Sequence, residues 1–223
     1  MIESPLANTP LFQFGPVPIT RPVVTTWSIM ALMTLGSLAL TRRLRLQPGT
    51  WQAALELVVS TIEQQIGETM HRPGRRFTPL LGTLFLYLVL ANFSSVVPGV
   101  QPPTAHIETA GALAAIVFFA VHFYGIQSRG LLGYLASFAK PTIIMLPLNV
   151  IAEITRTFSL MVRLFGNVLS GEFVVATVVA LAGLLVPIPL MALEVLIGLI
   201  QAYIFTVLAT VFIGAGIGSV EGG

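Results

Sequence analysis

Apolar residues occupy this chain in long runs that short polar segments separate. Three of these runs, 23–41, 78–97 and 109–127, contain no Lys, Arg, Asp or Glu. Each run has close to the 20 residues that a helix needs to cross the hydrocarbon core of a bilayer. The pattern therefore predicts three membrane-spanning helices in the first part of the chain.

The apolar pattern then continues over 141–220 with little interruption. The Pro-Ile-Pro motif at 187–189 divides this region into two long predicted helices, 141–186 and 189–218. The first would be about 69 Å long if fully helical, whereas the hydrocarbon core is about 30 Å thick. We therefore expect a long, tilted helical hairpin with its turn at 187–189 and a further break at Pro147.

The segment 50–70 has a two-sided pattern instead. Its apolar residues recur at helical spacing, while glutamate and glutamine occupy the other side. The apolar positions are Trp51, Leu55, Val58, Val59, Ile62, Ile66 and Met70. This pattern predicts an amphipathic helix that lies in the membrane interface or packs against a soluble partner, and the two interpretations are compatible.

Basic residues cluster in some of the connecting segments and avoid others. The segments 42–76 and 128–140 contain eight of the eleven Lys and Arg residues, whereas 99–108 contains none and the tail 1–22 contains Arg21 alone. Because basic loops tend to stay on the cytoplasmic side, we predict an outer tail at 1–22. The N-terminus would lie outside and the C-terminus in the cytoplasm.

The composition narrows the class of protein. Charged residues make up 9% of the chain and hydrophobic residues 55%, whereas a soluble domain has about 25% charged residues. This excludes an ordinary soluble enzyme and a disordered protein, and a net charge of +2 is too small for a nucleic-acid binder. No cysteine is present, so thiolate metal sites are excluded. We predict one all-α polytopic membrane domain over 1–223, with five or six membrane helices, no metal and no cofactor.

Charged residues inside the apolar region 141–220 are the strongest functional signal. An arginine at mid-bilayer costs about 2.5–3.5 kcal/mol on insertion scales, so such residues are usually functional. The five charged residues are Glu153, Arg156, Arg163, Glu172 and Glu194. Glu153 and Arg156 have the i,i+3 spacing of an intrahelical ion pair, and for them a structural role is favoured.

Helical geometry arranges the polar residues of this region in lines on two helices. Arg163 and Asn167 are four residues apart and share a face. Glu172 points about 180° away from Arg163 and lies about 13.5 Å along the axis. Glu194 and Gln201 are seven residues apart and share a face of the last helix. Such lines suit protonatable groups along a water-filled path, with a cation where the path must be interrupted.

Several segments resemble the signature of subunit a of F-type ATP synthases. They are 159–167 (SLMVRLFGN), 171–172 (GE), 201–208 (QAYIFTVL), 91–99 and 147–153, and the resemblance covers roughly residues 78–215. It implies a stationary membrane subunit without catalytic residues of its own. Its partners would be a rotating ring of c subunits, b-type stalk subunits and the lipid of a bacterial inner membrane.

The resemblance also implies residue roles. Arg163 would be the essential arginine facing the ring, with Asn167 and Gln201 as polar neighbours. Glu172 and Glu194 would line one of two aqueous half-channels that load and unload the ring carboxylates with H⁺ or Na⁺. Ion flow would thereby be coupled to rotation and to ATP synthesis or hydrolysis, and the long hairpin helices would face the ring.

The sequence departs from the common pattern of that family in several places. His106 and Glu108 stand where many members have Asp and Asn, Thr157 replaces a frequent Pro, and Glu194 replaces a His found in some members. These departures indicate a divergent bacterial branch such as the N-type ATPase. His106 and Glu108 are candidates for the outer half-channel, although His106 suits a plain loop residue equally well. For His122, packing between helices is the favoured interpretation.

Two other functions are compatible with parts of the sequence. A stand-alone ion transporter or channel would also need charged residues in its spans, but the chain shows no inverted repeat. An intramembrane serine protease would use Ser170 with His106 or His122, but the chain lacks the G-x-S-x-G arrangement around a serine.

Overall fold

The computed structural model describes residues 10–14, 17–42, 49–97, 100–138, 142, 144–182 and 187–218. Six α-helices lie within these residues, and all except the second are long and apolar enough to cross a membrane. They are α1 (Arg21–Thr41), α2 (Thr50–Met70), α3 (Thr78–Phe93), α4 (Ile107–Phe138), α5 (Met145–Ala182) and α6 (Pro187–Ile217). The predicted all-α polytopic membrane protein is thereby confirmed.

A short β-hairpin precedes the first membrane helix, and the sequence pattern did not predict it. Strands β1 (Pro10–Phe14) and β2 (Val17–Thr20) pair antiparallel. The second strand leads directly into α1, whose first turn contains Pro22, a residue type that suits a helix start because it lacks an amide donor. The hairpin falls within the predicted outer tail, so the membrane part remains helical.

The core is formed mainly by α3, α4, α5 and α6. Its buried side chains include Leu81 and Leu88 of α3, Ala114 of α4, and Ala202 and Phe205 of α6. Alanine at such positions lets helix backbones approach closely, which is how helices associate in a membrane. In contrast, most side chains of α1 are exposed, and this helix contacts mainly α3.

The long hairpin of α5 and α6 differs from the prediction at its prolines. Pro147 lies in the first turn of α5, which is one continuous helix of 38 residues; the predicted break there is wrong, because a first-turn proline removes no intrahelical hydrogen bond. Pro187 and Pro189 likewise belong to α6, which begins at Pro187, so the turn is not at 187–189. The connection falls on 183–186, outside the described residues.

A sharp corner interrupts α4 at Gly130, beyond the predicted span 109–127. Gly130 has φ 72° and ψ 161°, a conformation that is essentially restricted to glycine. After the corner, Tyr134 packs against Gly125, where a Cβ would collide with its ring. The ring of Tyr134 also lies 5.7 Å from that of His122. The chain is thereby turned toward the start of α5, where the Asn149 amide donates a hydrogen bond of 2.8 Å to the Phe138 carbonyl.

The predicted amphipathic helix corresponds to α2, which ends at Met70 and is followed by His71 in the left-handed conformation (φ 52°). Its last turns pack against α3 and α6 and bury Ile66 and Met70. Apolar side chains nearer its start, Leu57 and Val59, are exposed. Part of the apolar face of α2 is therefore covered by the other helices of the chain. The sequence analysis had considered only the membrane interface and a soluble partner as the surface that covers it.

Candidate functional site

The central residue of the candidate site is Arg163, on α5. The buried face of α5 is formed by Leu160, Leu164 and Val168, which recur every four residues. Arg163 lies outside this face and is exposed, beside the exposed apolar side chain of Val162. Within the described residues it has no hydrogen bond or ion pair. An unpaired cation on an apolar membrane helix requires water or a charged partner.

Asn167 and Gln201 join the polar lines of α5 and α6. The Asn167 Nδ2 donates a hydrogen bond of 3.3 Å to the Gln201 Oε1. Gln201 is only 4% exposed, and its Nε2 has no partner among the described residues. The two amides therefore meet across the α5–α6 contact, one helical turn along α5 from Arg163.

Glu194 and Glu172 lie at the contact between α5 and α6, beside Gly171. A Cβ on Gly171 would be 3.0 Å from the Glu194 Oε1, so α6 approaches α5 where α5 has a glycine. The Glu194 Oε1 is buried and has no hydrogen-bond partner among the described residues. The half-buried carboxyl of Glu172 is close enough to interact electrostatically with Glu194. The structure thus brings together the two carboxylates that sequence placed on different helices.

A small polar cavity adjoins Glu194. Its volume is about 20 Å³, and its lining includes Asn92, Ser95, Asn167 and Glu194. That is room for about one water molecule. A water there would have carboxylate, amide and hydroxyl partners within the same cavity, so this cavity can connect Glu194 with Asn167 through a solvent molecule.

Asn92 of α3 fixes the position of α6 at this cavity, a role that the sequence analysis did not identify. Its Nδ2 donates to the Gly198 carbonyl (2.7 Å), and its Oδ1 accepts from the Thr104 hydroxyl (3.0 Å). A Cβ on Gly198 would be 2.8 Å from the Asn92 Cβ. The sequence signals were the amide of Asn92 within an apolar run and the glycine Gly198 on the same helix as Glu194.

A second polar cavity lies at the other end of the bundle, where α4 ends and α5 begins. It has a volume of about 250 Å³ and is lined by residues of α4, α5 and α6, including Arg129, Glu153 and Arg156. The predicted ion pair is present, with 3.4 Å between the Arg156 Nη1 and the Glu153 Oε2. The two polar cavities therefore meet α5 on opposite sides of Arg163, at 149–156 and at 167–168.

His106 immediately precedes α4, and Glu108 lies in the first turn of that helix. His106 is buried beside the 3₁₀ turn Pro103–Ala105, and its burial lowers its pKa, an effect that the Glu108 carboxylate partly opposes. His106 is therefore neutral at pH 7. No hydrogen bond links either residue to Glu172 or Glu194 within the described part of the chain.

His122 is a packing residue in this structure. Its Nδ1 donates to the Phe118 carbonyl (2.8 Å), and its ring lies 4.2 Å from the Phe118 ring. Ser170 donates to the Asn167 carbonyl (3.1 Å), and no hydrogen bond joins it to a histidine among the described residues. The geometry gives no support to the serine protease alternative, and no cluster of three metal-ligating side chains occurs in the same part of the chain.

Comparisons with known proteins agree on a single family. The sequence model of the family described as ATP synthase A chain matches residues 23–214. The chain is 63% identical to ATP synthase subunit a 2 of Bradyrhizobium sp. (strain BTAi1) over 223 residues, the full length of both chains. It is 46% identical to ATP synthase subunit a 2 of Pelobacter propionicus, over 95% of this chain and 92% of the relative. Subunit a 1 of Chlorobaculum parvum is 43% identical, over 92% of each chain.

Proposed function

The chain belongs to the ATP synthase A chain family and is an integral membrane protein, and from this premise we propose that it is the stationary ion-conducting subunit of a rotary ATP synthase. In this proposal it conducts H⁺ or Na⁺ past a ring of c subunits and is held by b-type stalk subunits in a bacterial inner membrane. Catalysis of ATP synthesis or hydrolysis takes place on other subunits. The N-terminus is periplasmic and the C-terminus cytoplasmic.

The observation that carries the proposal is the position of Arg163 between the two polar cavities. The cavity with Glu194 serves as the half-channel on the outer side, and the cavity with Glu153 and Arg156 as the half-channel on the inner side. An ion that enters one half-channel neutralises a ring carboxylate, travels around with the ring and leaves through the other. The exposed apolar side chains of α5 and α6, such as Phe158 and Leu196, form the surface against which the ring turns.

Arg163 prevents a short circuit between the half-channels. A fixed cation repels H⁺ or Na⁺ that would otherwise cross directly, and moving one charge across the membrane yields only about 2.3 kcal/mol per 100 mV. The same cation attracts a ring carboxylate that has released its ion and so favours release there. Lysine would supply a charge but can lose its proton when desolvated, whereas arginine effectively cannot.

The polar residues around Glu194 guide the ion on the outer side. Glu194 accepts the ion and exchanges it with water in the small cavity, and Asn167 with Gln201 extends the polar path across the α5–α6 contact. Glu172 adds a second carboxylate next to Glu194. His106 and Glu108 stand at the start of α4, on the side that the proposed topology makes the outer one, and we assign them to the entrance of this half-channel.

The test is substitution of Arg163 in the complete complex. Arg163→Ala and Arg163→Lys should both abolish coupled ATP synthesis, and Arg163→Ala should permit passive ion flux through membrane vesicles stripped of the soluble sector. Arg42→Ala, which removes an exposed arginine at the end of α1, is the matched control and should behave as wild type. Wild-type synthesis by Arg163→Ala would overturn the proposal, and coupled transport by the chain alone in liposomes would favour a stand-alone transporter.

A further inference from the structure

The connection between α3 and α4 contains a turn that is buried inside the bundle. The 3₁₀ turn Pro103–Ala105 contacts α1, α3, α4 and α5, and all three of its residues are buried. Loops usually run over the surface, because their backbone polar groups need water or another partner. Here the Ala105 and His106 amides donate to the Pro102 and Pro103 carbonyls (3.1 and 3.2 Å), and proline has no amide to satisfy. The turn is therefore an ordered insert in the bundle.

The hydroxyl of Thr104, in this turn, begins a chain of two hydrogen bonds that ends on α6. It donates to the Asn92 Oδ1 (3.0 Å), and the Asn92 Nδ2 donates to the Gly198 carbonyl (2.7 Å). A carbonyl oxygen can only accept, so the Asn92 amide must present its nitrogen to Gly198 and its oxygen to Thr104. Thr104 is fully buried and Asn92 is 5% exposed. The hydroxyl of Thr104 therefore supplies the donor that the buried Asn92 oxygen needs.

Asn92 holds the backbone of α6 one turn from Glu194. Gly198 and Glu194 are four residues apart on α6 and share a face, and both line the small polar cavity. Because a Cβ on Gly198 would be 2.8 Å from the Asn92 Cβ, the amide reaches the α6 backbone only where α6 has a glycine. The same segment of α6 brings the Glu194 carboxyl to Gly171 of α5. A shift of α6 at Gly198 would therefore move this carboxyl relative to the cavity.

We propose that Thr104 is a positioning residue of the outer half-channel, whose hydroxyl holds Asn92 and thereby holds the Glu194 carboxyl in the place where the ion is loaded. The inference rests on the proposed function, because that function assigns ion loading to Glu194. Thr104 is not among the described residues that line the small cavity, so it acts through Asn92 rather than on the ion or its water. Its removal should weaken loading from the outer side and leave the inner half-channel, at the other end of the bundle, unaffected.

Thr104→Val tests this assignment, because valine keeps the branched shape of threonine and removes the hydroxyl. The Asn92 oxygen then loses its donor, and its amide is held by one hydrogen bond instead of two. Because one net hydrogen bond corresponds to a factor of about three to ten in an equilibrium, the half-saturating ion concentration on the outer side should rise about three- to tenfold. Thr104→Ser keeps the donor and should restore the wild-type value.

The experiment uses the purified complete complex in liposomes with its soluble sector outward, so that the outer half-channel opens to the lumen. ATP synthesis at a fixed membrane potential is measured against the lumenal concentration of the coupling ion, first as H⁺ and then as Na⁺ at constant pH to identify the ion. ATP-driven pumping is measured against the ion concentration in the medium, which loads the inner half-channel. Thr104→Val should raise the lumenal half-saturating concentration and leave that of the medium unchanged, whereas a general loss of stability would lower both rates without this selective shift.

Two further variants separate positioning from a purely structural effect. Thr206→Val removes a buried hydroxyl of α6 that donates within its own helix, to the Ala202 carbonyl (2.9 Å), and should behave as wild type. In Asn92→Ala the link to α6 is already broken, so adding Thr104→Val should cause no further shift. Non-additivity of this kind is the signature of two residues that act through one connection.

Equal shifts on the two sides, no shift, an additive effect of Thr104→Val on Asn92→Ala, or failure of Thr104→Ser to restore the wild-type value would each overturn the positioning role. A Thr104→Val complex that does not assemble would also overturn it, because the hydroxyl would then be required for folding. These outcomes differ from failure of the proposed function itself, in which the wild-type complex would show no ion-driven ATP synthesis and Arg163→Ala would show no defect.

Discussion

The proposed polar path at the α5–α6 contact depends on four side chains, two carboxylates and two amides. The Glu194 Oε1 and the Gln201 Nε2 are buried without hydrogen-bond partners among the described residues. Unsatisfied buried polar atoms are rare in folded proteins and call for an explanation such as water or a functional ion. Both atoms belong to the polar path of the proposed outer half-channel, where we expect the Glu194 Oε1 to accept from water or bind the passing ion and the Gln201 Nε2 to donate to water.

Substitution of the carboxylates tests this explanation. Glu194→Gln keeps the size of the side chain and removes its ability to exchange a proton or bind a cation, so coupled synthesis should fall about 10²-fold, the lower end of the effect of a positioned proton-transfer group. Glu172→Gln should slow synthesis as well, and both variants should still assemble. ATP synthesis in inverted vesicles measures the effect, with Glu68→Gln on the exposed side of α2 as control. Normal rates in both variants would favour a structural pairing instead.

At the scale of elements, glycine and proline had effects that depended on their position. Pro147, Pro187 and Pro189 all lie in the first turns of helices, where proline is favoured. The sequence analysis had predicted a break or a turn at these prolines. The sequence pattern predicted no break at Gly130, yet the backbone conformation of this glycine turns α4. Local composition identified the residues that can break a helix, but the packing around each one decided whether a break occurs.

The corner at Gly130 gives a prediction about stability. Gly130→Ala would place a Cβ in a backbone conformation that costs about 1–3 kcal/mol for other residues, so the α4 corner and its contact with the start of α5 should be destabilised. Thermal inactivation of the purified complex should occur at a lower temperature. Gly36→Ala in α1, where a Cβ would meet no atom within 4 Å, is the control and should be neutral because alanine is favoured in helices. Equal stability of the two variants would contradict the assigned role of the corner.

At the scale of the whole molecule, the orientation in the membrane depends on the distribution of basic residues. Single cysteines test it directly because the chain has none of its own. The exposed Glu108 serves as the position on the predicted outer side, and the exposed Arg75 as the position on the predicted inner side. A membrane-impermeant thiol reagent should label Glu108→Cys from outside and Arg75→Cys from the cytoplasmic side. Labelling from exchanged sides would reverse the predicted topology, and labelling of both from the same side would exclude it.

The sequence by itself predicted the class of fold, five or six membrane helices and the residues of the candidate site other than Asn92. These features depend on local properties, namely runs of about 20 apolar residues, the cost of charges in a bilayer and a motif around Arg163. The i,i+4 spacing of Arg163 and Asn167 and the i,i+7 spacing of Glu194 and Gln201 also predicted which residues share a face, because helical periodicity determines this.

Only the tertiary structure decided how these faces meet. The contact between Asn167 and Gln201, the approach of Glu194 to Gly171 and the pinning of Gly198 by Asn92 join residues that are far apart in the chain. So do the two polar cavities on either side of Arg163. Periodicity defines a face but not its partner, because the partner is chosen by the packing of side chains over several helices at once, and that packing brought the polar residues of α5 and α6 together.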